Sequence, residues 1–388
     1  MFHVEHATFE DMLYFDHNAT APLHPAAKAA WLEAQEKFPG NPSSQHRMGK
    51  RAEVALDGAR EFLASHVGCV ASSLVWTSGA TEAANAVFAH LAAVSDGSAR
   101  VWISAIEHPC VADAAERYFP GRVVEMAVTR AGVLDLERVA EVLMEETPAA
   151  VAVMAANNET GVLQPWRDLV ALCGTRGVPF VCDATQWVGR LPMAGLGEVD
   201  YLFGSGHKCG APVGVGFLKV PSGFRSLLAG GPQEEGRRAG TQNVAAAVSF
   251  EAALRECEKR FGEVEERVAQ RGEVERALEH VLPEVVIIGK ESERLWNTLS
   301  VLAPGLEDCR QRWVVRLDAA GIAASSGSAC ASGVEKPSRV LAAMGVPAGA
   351  SDRVLRLSGG WECGPQEWAE VVRCLEGVWE RWRGRGVG

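Results

Sequence analysis

Short apolar runs alternate with helix-like stretches between about residues 50 and 220, which restricts the chain to folds in which strands and helices alternate. The runs are rich in Val, Ile, Ala and Phe and include RVWISAIEH, PAAVAVMAANNETG, VPFVCDATQ and VDYLFGSGHK. Each is too short for a buried helix and ends in polar residues, which is typical of a central parallel strand whose carboxyl end opens into a site. The pattern predicts a doubly wound α/β sheet.

Polar side chains follow these runs where the strands are predicted to end. Ligands of doubly wound sheets bind at the carboxyl ends of the strands, so we expect these side chains to converge on one site. The six residues in such positions are His108, Asn158, Asp183, Ser205, His207 and Lys208.

The character of the sequence changes after residue 244. A long charged stretch with apolar residues on one stripe, AAVSFEAALRECEKRFGEVEERVAQRGEVERALEHVL, predicts helical structure that links two domains. The segments EVVIIG and NTLSVLA, a helix around 309–320, VLRLSGG and a last helix near 365–384 then predict a smaller α+β domain. We expect a large domain over residues 18–252 and a small domain made of 1–17 and 253–388.

Composition and charge exclude several functions. The net charge of -11 leaves no basic face for nucleic acid. The start, MFHVEHATFEDML, does not resemble a signal peptide, and no uncharged apolar stretch approaches the 18 residues of a membrane span. We therefore expect a cytoplasmic protein without direct nucleic-acid or membrane contacts.

Ten cysteines are present, but a chain of 388 residues needs no disulfide framework, so reduced thiols are expected. No two cysteines have the C-x-x-C spacing of a zinc knuckle. His108 with Cys110, and His207 with Cys209, place pairs of potential ligands close together. We expect no metal at either pair, because both histidines have a better role below.

Two segments are suited to bind parts of a charged cofactor. SGATEAANAVFAHL places small residues and Thr81 before a predicted helix, where free N–H groups and the helix dipole can hold a phosphate. A plain cap by Thr81 or Ser78 is the alternative. VCDATQ ends a strand in Asp183, whose buried carboxylate needs a cation or a protonated ring nitrogen such as a pyridinium. Capping of the next turn is the alternative there.

Three further residues have side chains that can react with or bind a substrate. Lys208, directly after a strand, can form a Schiff base if its pKa is lowered; a surface lysine in a turn is the alternative. Cys330 in SSGSACASG lies among small residues and is expected to be reactive rather than structural. Arg356, central in the apolar strand VLRLSGG, suits a substrate carboxylate, with an internal Asp or Glu partner as the alternative.

Together these segments resemble the cysteine desulfurases, which belong to the class V aminotransferase group of fold-type I enzymes and use pyridoxal 5'-phosphate. The resemblance runs from about YFDHNATAPLHP at residue 14 to VLRLSGG at 360. GNPSSQHRMGK, SGATEAANA, IEHPCV, NNETGVLQP, DATQWVGRLP, SGHK, GRRAGTQNV, SSGSAC and RLSGG occur in the family's order. The resemblance implies a mostly parallel seven-stranded sheet in the large domain and a small domain that carries the Cys330 loop.

The resemblance also implies residue roles. Lys208 is the lysine that holds the cofactor, Asp183 the partner of the pyridinium nitrogen, and His108 the residue that stacks on the ring. Asn158 and Gln186 lie near the phenolic oxygen. The residues implied to bind the phosphate are Ala80, Thr81, Ser205 and His207, with Thr241 contributed from the other subunit of a homodimer. Arg356 and Asn41 are implied to bind the substrate's α-carboxylate.

The implied reaction removes sulfur from L-cysteine, with Lys208 moving a proton, His108 acting as acid or base, and Cys330 receiving the sulfur as a persulfide. L-alanine is the other product, and the sulfur passes to a protein acceptor, such as an iron-sulfur scaffold or a tRNA-thiolation protein. Selenocysteine lyase or cysteine sulfinate desulfinase activity is the alternative within this cofactor class. The alternative from a different functional class is a partner protein that binds pyridoxal phosphate without turnover.

Three features depart from the family pattern. Ala211-Pro-Val213-Gly follows the lysine where Gly-Pro-Lys-Gly is usual, and Glu235 stands where an arginine is common. RLSGG is followed by Trp361 instead of a second arginine. We expect these departures to affect the phosphate-side turn, acceptor docking or substrate range.

Overall fold

A seven-stranded sheet forms the centre of the larger part of the molecule. The computed structural model describes residues 12–305, 312–326, 338–351 and 353–383. The sheet has the order β2-β8-β7-β6-β5-β3-β4. Only β8 runs antiparallel to its neighbours, so the predicted doubly wound, mostly parallel sheet is confirmed. Its strands are β2 (Leu74–Thr77), β3 (Val101–Ser104), β4 (Val123–Met126), β5 (Ala150–Ala152), β6 (Phe180–Asp183), β7 (Tyr201–Ser205) and β8 (Gly216–Lys219).

Apolar residues cover both faces of this sheet. Successive strand residues point to opposite faces, so Trp102 packs in one core while Val101 and Ile103 pack in the other. Each fully buried aromatic such as Phe203 contributes roughly 1.5–3 kcal/mol relative to exposure. Burial on both faces explains why the strand sequences are continuously apolar and end abruptly in polar residues.

Helices cover the sheet on both sides. Helices α1, α2, α6 and α7 contribute to one core, and α3 and α4 to the other. The bounds are α1 (Pro25–Lys37), α2 (Arg47–Val67), α3 (Ala80–Val94), α4 (Pro109–Tyr118), α5 (Leu136–Glu145), α6 (Trp166–Arg176) and α7 (Val244–Glu258). Within the described ranges, no helix combines the length and apolar character that a membrane crossing requires.

The long charged stretch after residue 244 is divided into two helices. α7 ends at Glu258, a 3-10 turn covers Phe261–Glu263, and α8 covers Val264–Val281. Gly262 lies in that turn, where its low helix propensity favours the break.

The remaining elements form a smaller α+β unit. β10 (Thr298–Leu302) pairs antiparallel with both β9 (Val286–Ile287) and β12 (Val354–Ser358). β1 (Leu13–Tyr14) pairs parallel with β11 (Ile322–Ala323). α8 and α12 (Pro365–Arg383) supply much of the core of this unit. The other helices are α9 (Arg312–Asp318), α10 (Arg339–Ala343) and α11 (Ala348–Ser351).

The segment after β1 connects this smaller unit to the large sheet. Asn18 receives a hydrogen bond from Asn297 Nδ2 at 3.2 Å, and its own Nδ2 donates to Thr298 Oγ1 at 2.9 Å. Its backbone N–H donates to Ser358 Oγ at 3.0 Å. Asn18 is 1% exposed, so these bonds hold the segment firmly between the two units.

Candidate active site

The polar residues that the sequence placed at strand ends follow four strands that are neighbours in the sheet. The order β7-β6-β5-β3 brings the ends of these strands side by side. His108 follows β3, Asn158 follows β5, Asp183 ends β6 and Ser205 ends β7. The expected convergence of strand ends is therefore confirmed, as parallel neighbouring strands require.

Lys208 is half-buried and its ammonium is held by the backbone of the connecting segment. Nζ donates to the carbonyl oxygens of Asn18 at 2.7 Å and Ala19 at 2.5 Å. Because Asn18 is itself anchored by three hydrogen bonds to the smaller unit, the lysine is positioned by both parts of the molecule.

Asp183 is a buried carboxyl at the carboxyl end of β6, the central strand of the sheet. Its Oδ1 accepts a hydrogen bond from the N–H of Thr185 at 2.8 Å. Burial raises the pKa of Asp183, while the bonds from Thr185 and the nearby His108 and Lys208 act in the opposite direction. A protonated ring nitrogen is a suitable partner for such a carboxyl, because its positive charge stabilises the carboxylate form that burial disfavours.

His108 is positioned by the helix that it caps. Its Nδ1 accepts the N–H of Cys110 at 3.1 Å at the start of α4. The neutral ring therefore carries its proton on Nε2. Burial lowers the pKa of His108, Asp183 opposes this effect and Lys208 adds to it, so the ring is neutral at neutral pH. A neutral imidazole can both stack on an aromatic ring and exchange a proton.

Glu107, just before His108, is a second buried carboxyl beside Asp183. Burial raises its pKa to about 8, although Ser104 and the N–H of Met154 donate to Oε1. Glu107 is therefore mainly protonated at pH 7 and adds little negative charge beside Asp183. The sequence analysis did not identify this residue, although an acid beside a strand-end histidine was a visible signal.

The N-terminus of α3 has the features of a phosphate site. Gly79 precedes the helix with φ +151°, a conformation suited to glycine, and as the N-cap residue it has no side chain with which to cap the helix. A Cβ at residue 79 would lie 3.4 Å from Ser205 Oγ. The uncapped N–H groups, the helix dipole and the Ser205 hydroxyl thus face the same space, which favours an anion over the alternative of a plain side-chain cap. Ala80 and Thr81 begin α3 at this point.

His207, two residues after Ser205, has a side chain that is neutral at neutral pH. Burial, Lys208 and Arg190 lower its pKa to about 4. Its Nδ1 lies 3.1 Å from Thr20 Oγ1. At neutral pH, His207 can therefore offer a phosphate a hydrogen bond but not a positive charge.

Gln186 has a buried acceptor that lacks a partner. Nε2 donates to the Asn18 carbonyl at 3.0 Å, while Oε1 has no hydrogen-bond partner within the described part of the chain. Leaving a buried amide oxygen unpaired costs about 1–3 kcal/mol. The uncapped helix, Asp183, Lys208 and this orphaned atom together fit a ligand with a phosphate, a ring nitrogen and a further polar group, as pyridoxal 5'-phosphate has.

Arg356 has the internal acidic partner that the sequence left open as an alternative. Nη2 donates to Asp16 Oδ1 at 2.7 Å, and Nη1 donates to the Asn158 carbonyl at 3.0 Å. Nε has no hydrogen-bond partner among the described residues. Arg356 is 2% exposed, and Asp16 balances its buried charge.

Two predicted residues are not brought to this cluster within the single chain. Asn41 is exposed and its Oδ1 accepts the N–H of Ser43 at 2.9 Å. Thr241 is also exposed. Among the described residues, neither side chain hydrogen-bonds to Lys208 or Arg356.

Cys330 lies outside the described residues, but the chain on either side of its segment is held near the site. Ser325 and Arg356 exchange backbone hydrogen bonds of 3.1 Å and 2.7 Å. Ser338 donates to Glu159 Oε2 at 2.6 Å, and burial raises the pKa of Glu159 to about 7.

The sequence analysis did not identify Asn18 or Asp16 as site residues. Asn18 joins Lys208, Gln186 and the smaller unit, and Asp16 neutralises Arg356. The signal was the polar group in YFDHNAT between apolar neighbours, but its partners lie far away along the chain.

Comparisons with known proteins agree with this geometry. Residues 13–359 match the aminotransferase class-V family. "Cysteine desulfurase NifS" of Azotobacter vinelandii is 35% identical, with 96% of each chain covered. A solved "NifS-like protein" superposes with a TM-score of 0.85 at 28% identity, covering 95% of this chain and 99% of its own. "SspA in complex with cysteine" gives a TM-score of 0.77 at 28% identity, with coverages of 89% and 98%. The chain therefore belongs to the cysteine desulfurases of the class-V aminotransferase family, which depend on pyridoxal 5'-phosphate.

Proposed function

We propose that this chain removes sulfur from L-cysteine, giving L-alanine and a persulfide on Cys330. The observation that supports this most directly is the grouping of Lys208, Asp183 and His108 at adjoining strand ends. Lys208 and Asp183 both affect the pKa of His108, so the three groups lie within electrostatic reach of one another. A lysine, a buried acid and a neutral imidazole are the set that this chemistry needs.

The residues around this group would hold the cofactor. Asp183 would pair with its ring nitrogen and Lys208 with its aldehyde carbon, while His108 would stack on the ring. The remaining contacts would come from Ala80, Thr81, Ser205, His207 and Thr241 at the phosphate and from Asn158 and Gln186 near the phenolic oxygen. When bound, the cofactor supplies an electron-withdrawing ring that stabilises negative charge beside the substrate nitrogen.

Arg356 would bind the α-carboxylate of L-cysteine, with Asn41 as a second contact. Its unpartnered Nε and its Asp16-bound Nη2 lie on one buried guanidinium, which favours bidentate carboxylate binding. The incoming carboxylate would then share the arginine with Asp16 or displace it.

Proton movement would be divided between Lys208 and His108. Lys208, held by the Asn18 and Ala19 carbonyls, would remove the proton from the substrate Cα and return one during alanine formation. His108, which is neutral at neutral pH and protonated on Nε2, would exchange a proton with the substrate thiol.

Sulfur transfer would occur at Cys330. Its thiolate attacks the substrate sulfur, the S–S bond forms as the Cβ–S bond breaks, and the electron pair of the broken bond remains on carbon. Protonation of that carbon leads to L-alanine, so L-cysteine and a thiol give alanine and a persulfide without an added oxidant. The anchoring of the flanking residues Ser325 and Ser338 beside Arg356 and Glu159 is consistent with this role.

The assembly and its surroundings also belong to this proposal. We infer a cytoplasmic homodimer in which Thr241 of one subunit completes the phosphate site of the other, since Thr241 is exposed in the single chain. The large domain would span residues 18–252 and the small domain 1–17 and 253–388. A protein acceptor, either an iron-sulfur scaffold or a tRNA-thiolation protein, would then take the sulfur.

Mass spectrometry of Cys330 tests the reaction. The cofactor-loaded protein is mixed with L-cysteine, and both the mass of the Cys330 peptide and alanine release are followed, with Cys330→Ser as the test variant and Cys374→Ser as the control. We expect one added sulfur on Cys330, loss of alanine formation in Cys330→Ser, and normal activity in Cys374→Ser.

The alternatives predict a different result. Alanine release without sulfur on Cys330, or release that Cys330→Ser leaves unchanged, would contradict the persulfide mechanism and favour selenocysteine lyase or cysteine sulfinate desulfinase activity. Absence of any turnover in the loaded protein would favour a non-catalytic binding role.

A further inference from the structure

Three potential metal ligands meet where the connecting segment contacts the loop between β12 and α12. His17 Nε2 lies 3.1 Å from Glu362 Oε1. These two atoms and Cys363 Sγ all lie within 4.8 Å of one another. We refer to these residues as the His17–Glu362–Cys363 cluster. The proposed reaction uses none of its members, although Lys208 lines the same cavity as His17 and Glu362.

The backbone around this cluster is shaped to bring the three side chains together. A Cβ at Gly360 would come 2.3 Å from both Glu362 Oε1 and His17 Cε1, so only glycine leaves room for their contact. The Gly360 N–H also donates to Cys363 Sγ at 3.3 Å. An N–H donor directed at sulfur stabilises a thiolate, which is the form that binds metals.

An arginine side chain holds the backbone of the loop that carries Glu362 and Cys363. Arg267 donates to the carbonyl oxygens of Trp361 at 2.8 Å and Cys363 at 2.7 Å. These hydrogen bonds therefore fix the backbone that carries two of the three potential ligands.

The burial of the ligands leaves one side of the cluster open. His17 and Cys363 are 5% and 7% exposed, whereas the Glu362 side chain is 67% exposed. His17 and Glu362 also line a cavity of about 410 Å³. The cavity walls include Cys209, Cys257, Trp296 and Trp361. A cation bound here would have three protein ligands and a position open to this cavity.

The donor atoms indicate which cation fits. Imidazole nitrogen, carboxylate oxygen and thiolate sulfur together are a ligand set of Zn²⁺, while a sulfur ligand disfavours Mg²⁺ and Ca²⁺. An ion pair would account for the contact between His17 and Glu362, and packing in the core of the smaller unit would account for the burial of Cys363. Neither accounts for the approach of all three donor atoms to within 4.8 Å of one another.

We propose that the His17–Glu362–Cys363 cluster is a zinc site whose fourth position faces the cavity. Zinc displaces the Cys363 thiol proton to solvent as the Zn–S bond forms, and no oxidation or reduction takes part. The site links the segment before Asn18, which holds Lys208, to the loop before α12. Zinc would therefore brace the connecting segment whose Asn18 carbonyl accepts a hydrogen bond from Lys208.

Zinc binding by the holoenzyme tests this site directly. The protein is dialysed against micromolar ZnCl₂, bound zinc is counted by plasma mass spectrometry, and its ligands are read by X-ray absorption at the zinc edge. We expect about one zinc per chain with one sulfur scatterer at about 2.3 Å. Glu362→Gln and Cys363→Ser should each weaken zinc binding at least about tenfold.

Matched variants separate this site from other thiols and from misfolding. Cys374→Ser and Cys330→Ser should retain the zinc and its sulfur scatterer. Glu362→Gln changes a largely exposed side chain, and its metal-free unfolding temperature should equal that of the unmodified protein. Failure to bind stoichiometric zinc, or zinc that both Glu362→Gln and Cys363→Ser retain with unchanged affinity, would overturn the proposal.

Discussion

Arg356 illustrates what a single buried charge requires. The sequence placed it at the centre of an apolar strand, and the structure provides Asp16 and the Asn158 carbonyl as acceptors. The acidic partner lies 340 residues away along the chain, so no local pattern could have identified it. Asp16 therefore neutralises the arginine, and a substrate carboxylate that binds Arg356 as proposed would compete with Asp16.

This competition gives a prediction for two variants. Arg356→Lys removes the bidentate geometry and should raise KM for L-cysteine roughly 10- to 100-fold, since a hydrogen bond to a charged group is worth about 1.5–3 kcal/mol. Asp16→Asn keeps a similar shape but removes the competing charge, so it should lower KM. Steady-state alanine release at varied L-cysteine measures both. A rise in KM for Asp16→Asn like that of Arg356→Lys would show that the Asp16 charge positions the arginine instead of competing with the substrate.

At the scale of elements, the strands were more predictable than their connections. Apolar runs with polar ends located the strands that carry His108, Asp183 and Ser205, because burial on both faces leaves a local signature in the sequence. The break between α7 and α8 was missed, since charged helical periodicity continues across it. The role of Asn18 was also not visible, because it arises from contacts with residues 140 to 340 positions away.

The junction between β2 and α3 supports a prediction about cofactor binding. Gly79→Ala forces a residue with a Cβ into φ +151°, which costs about 1–3 kcal/mol, and directs the methyl group toward Ser205 Oγ. We expect weaker binding of pyridoxal 5'-phosphate and lower stability. Absorbance titration of the cofactor-free protein measures the affinity, and thermal unfolding measures the stability.

Gly97→Ala is the matched control. A Cβ at this exposed glycine meets nothing within 4 Å, so both measurements should match those of the unmodified protein. If Gly79→Ala binds the cofactor as tightly as Gly97→Ala does, the N-terminus of α3 is not the phosphate site.

At the scale of the whole molecule, the exposure of Thr241 is consistent with a site shared between subunits. The sequence resemblance implied a phosphate contact for this residue, yet among the described residues of one chain no hydrogen bond joins its side chain to Lys208. The implied phosphate contact and the exposure of Thr241 in one chain are compatible if Thr241 contributes to the phosphate site of a second copy. The alternative is that Thr241 has no part in cofactor binding.

A mixed dimer distinguishes these possibilities. Lys208→Ala abolishes the covalent attachment point, and Thr241→Ala should weaken cofactor binding roughly 10- to 100-fold through one lost phosphate contact. Co-expression of the two variants with different affinity tags gives a dimer in which one site carries both defects. The other site combines an intact Lys208 with an intact Thr241 from the neighbouring chain, so half of the sites should bind the cofactor with normal affinity and release alanine.

Thr175→Ala serves as the control in place of Thr241→Ala. Thr175 is an exposed threonine on α6, so dimers that carry this variant should bind the cofactor normally at every site with an intact Lys208. If Thr241 instead acted within its own chain, no site of the mixed dimer would be complete, and affinity would stay as weak as in Thr241→Ala alone.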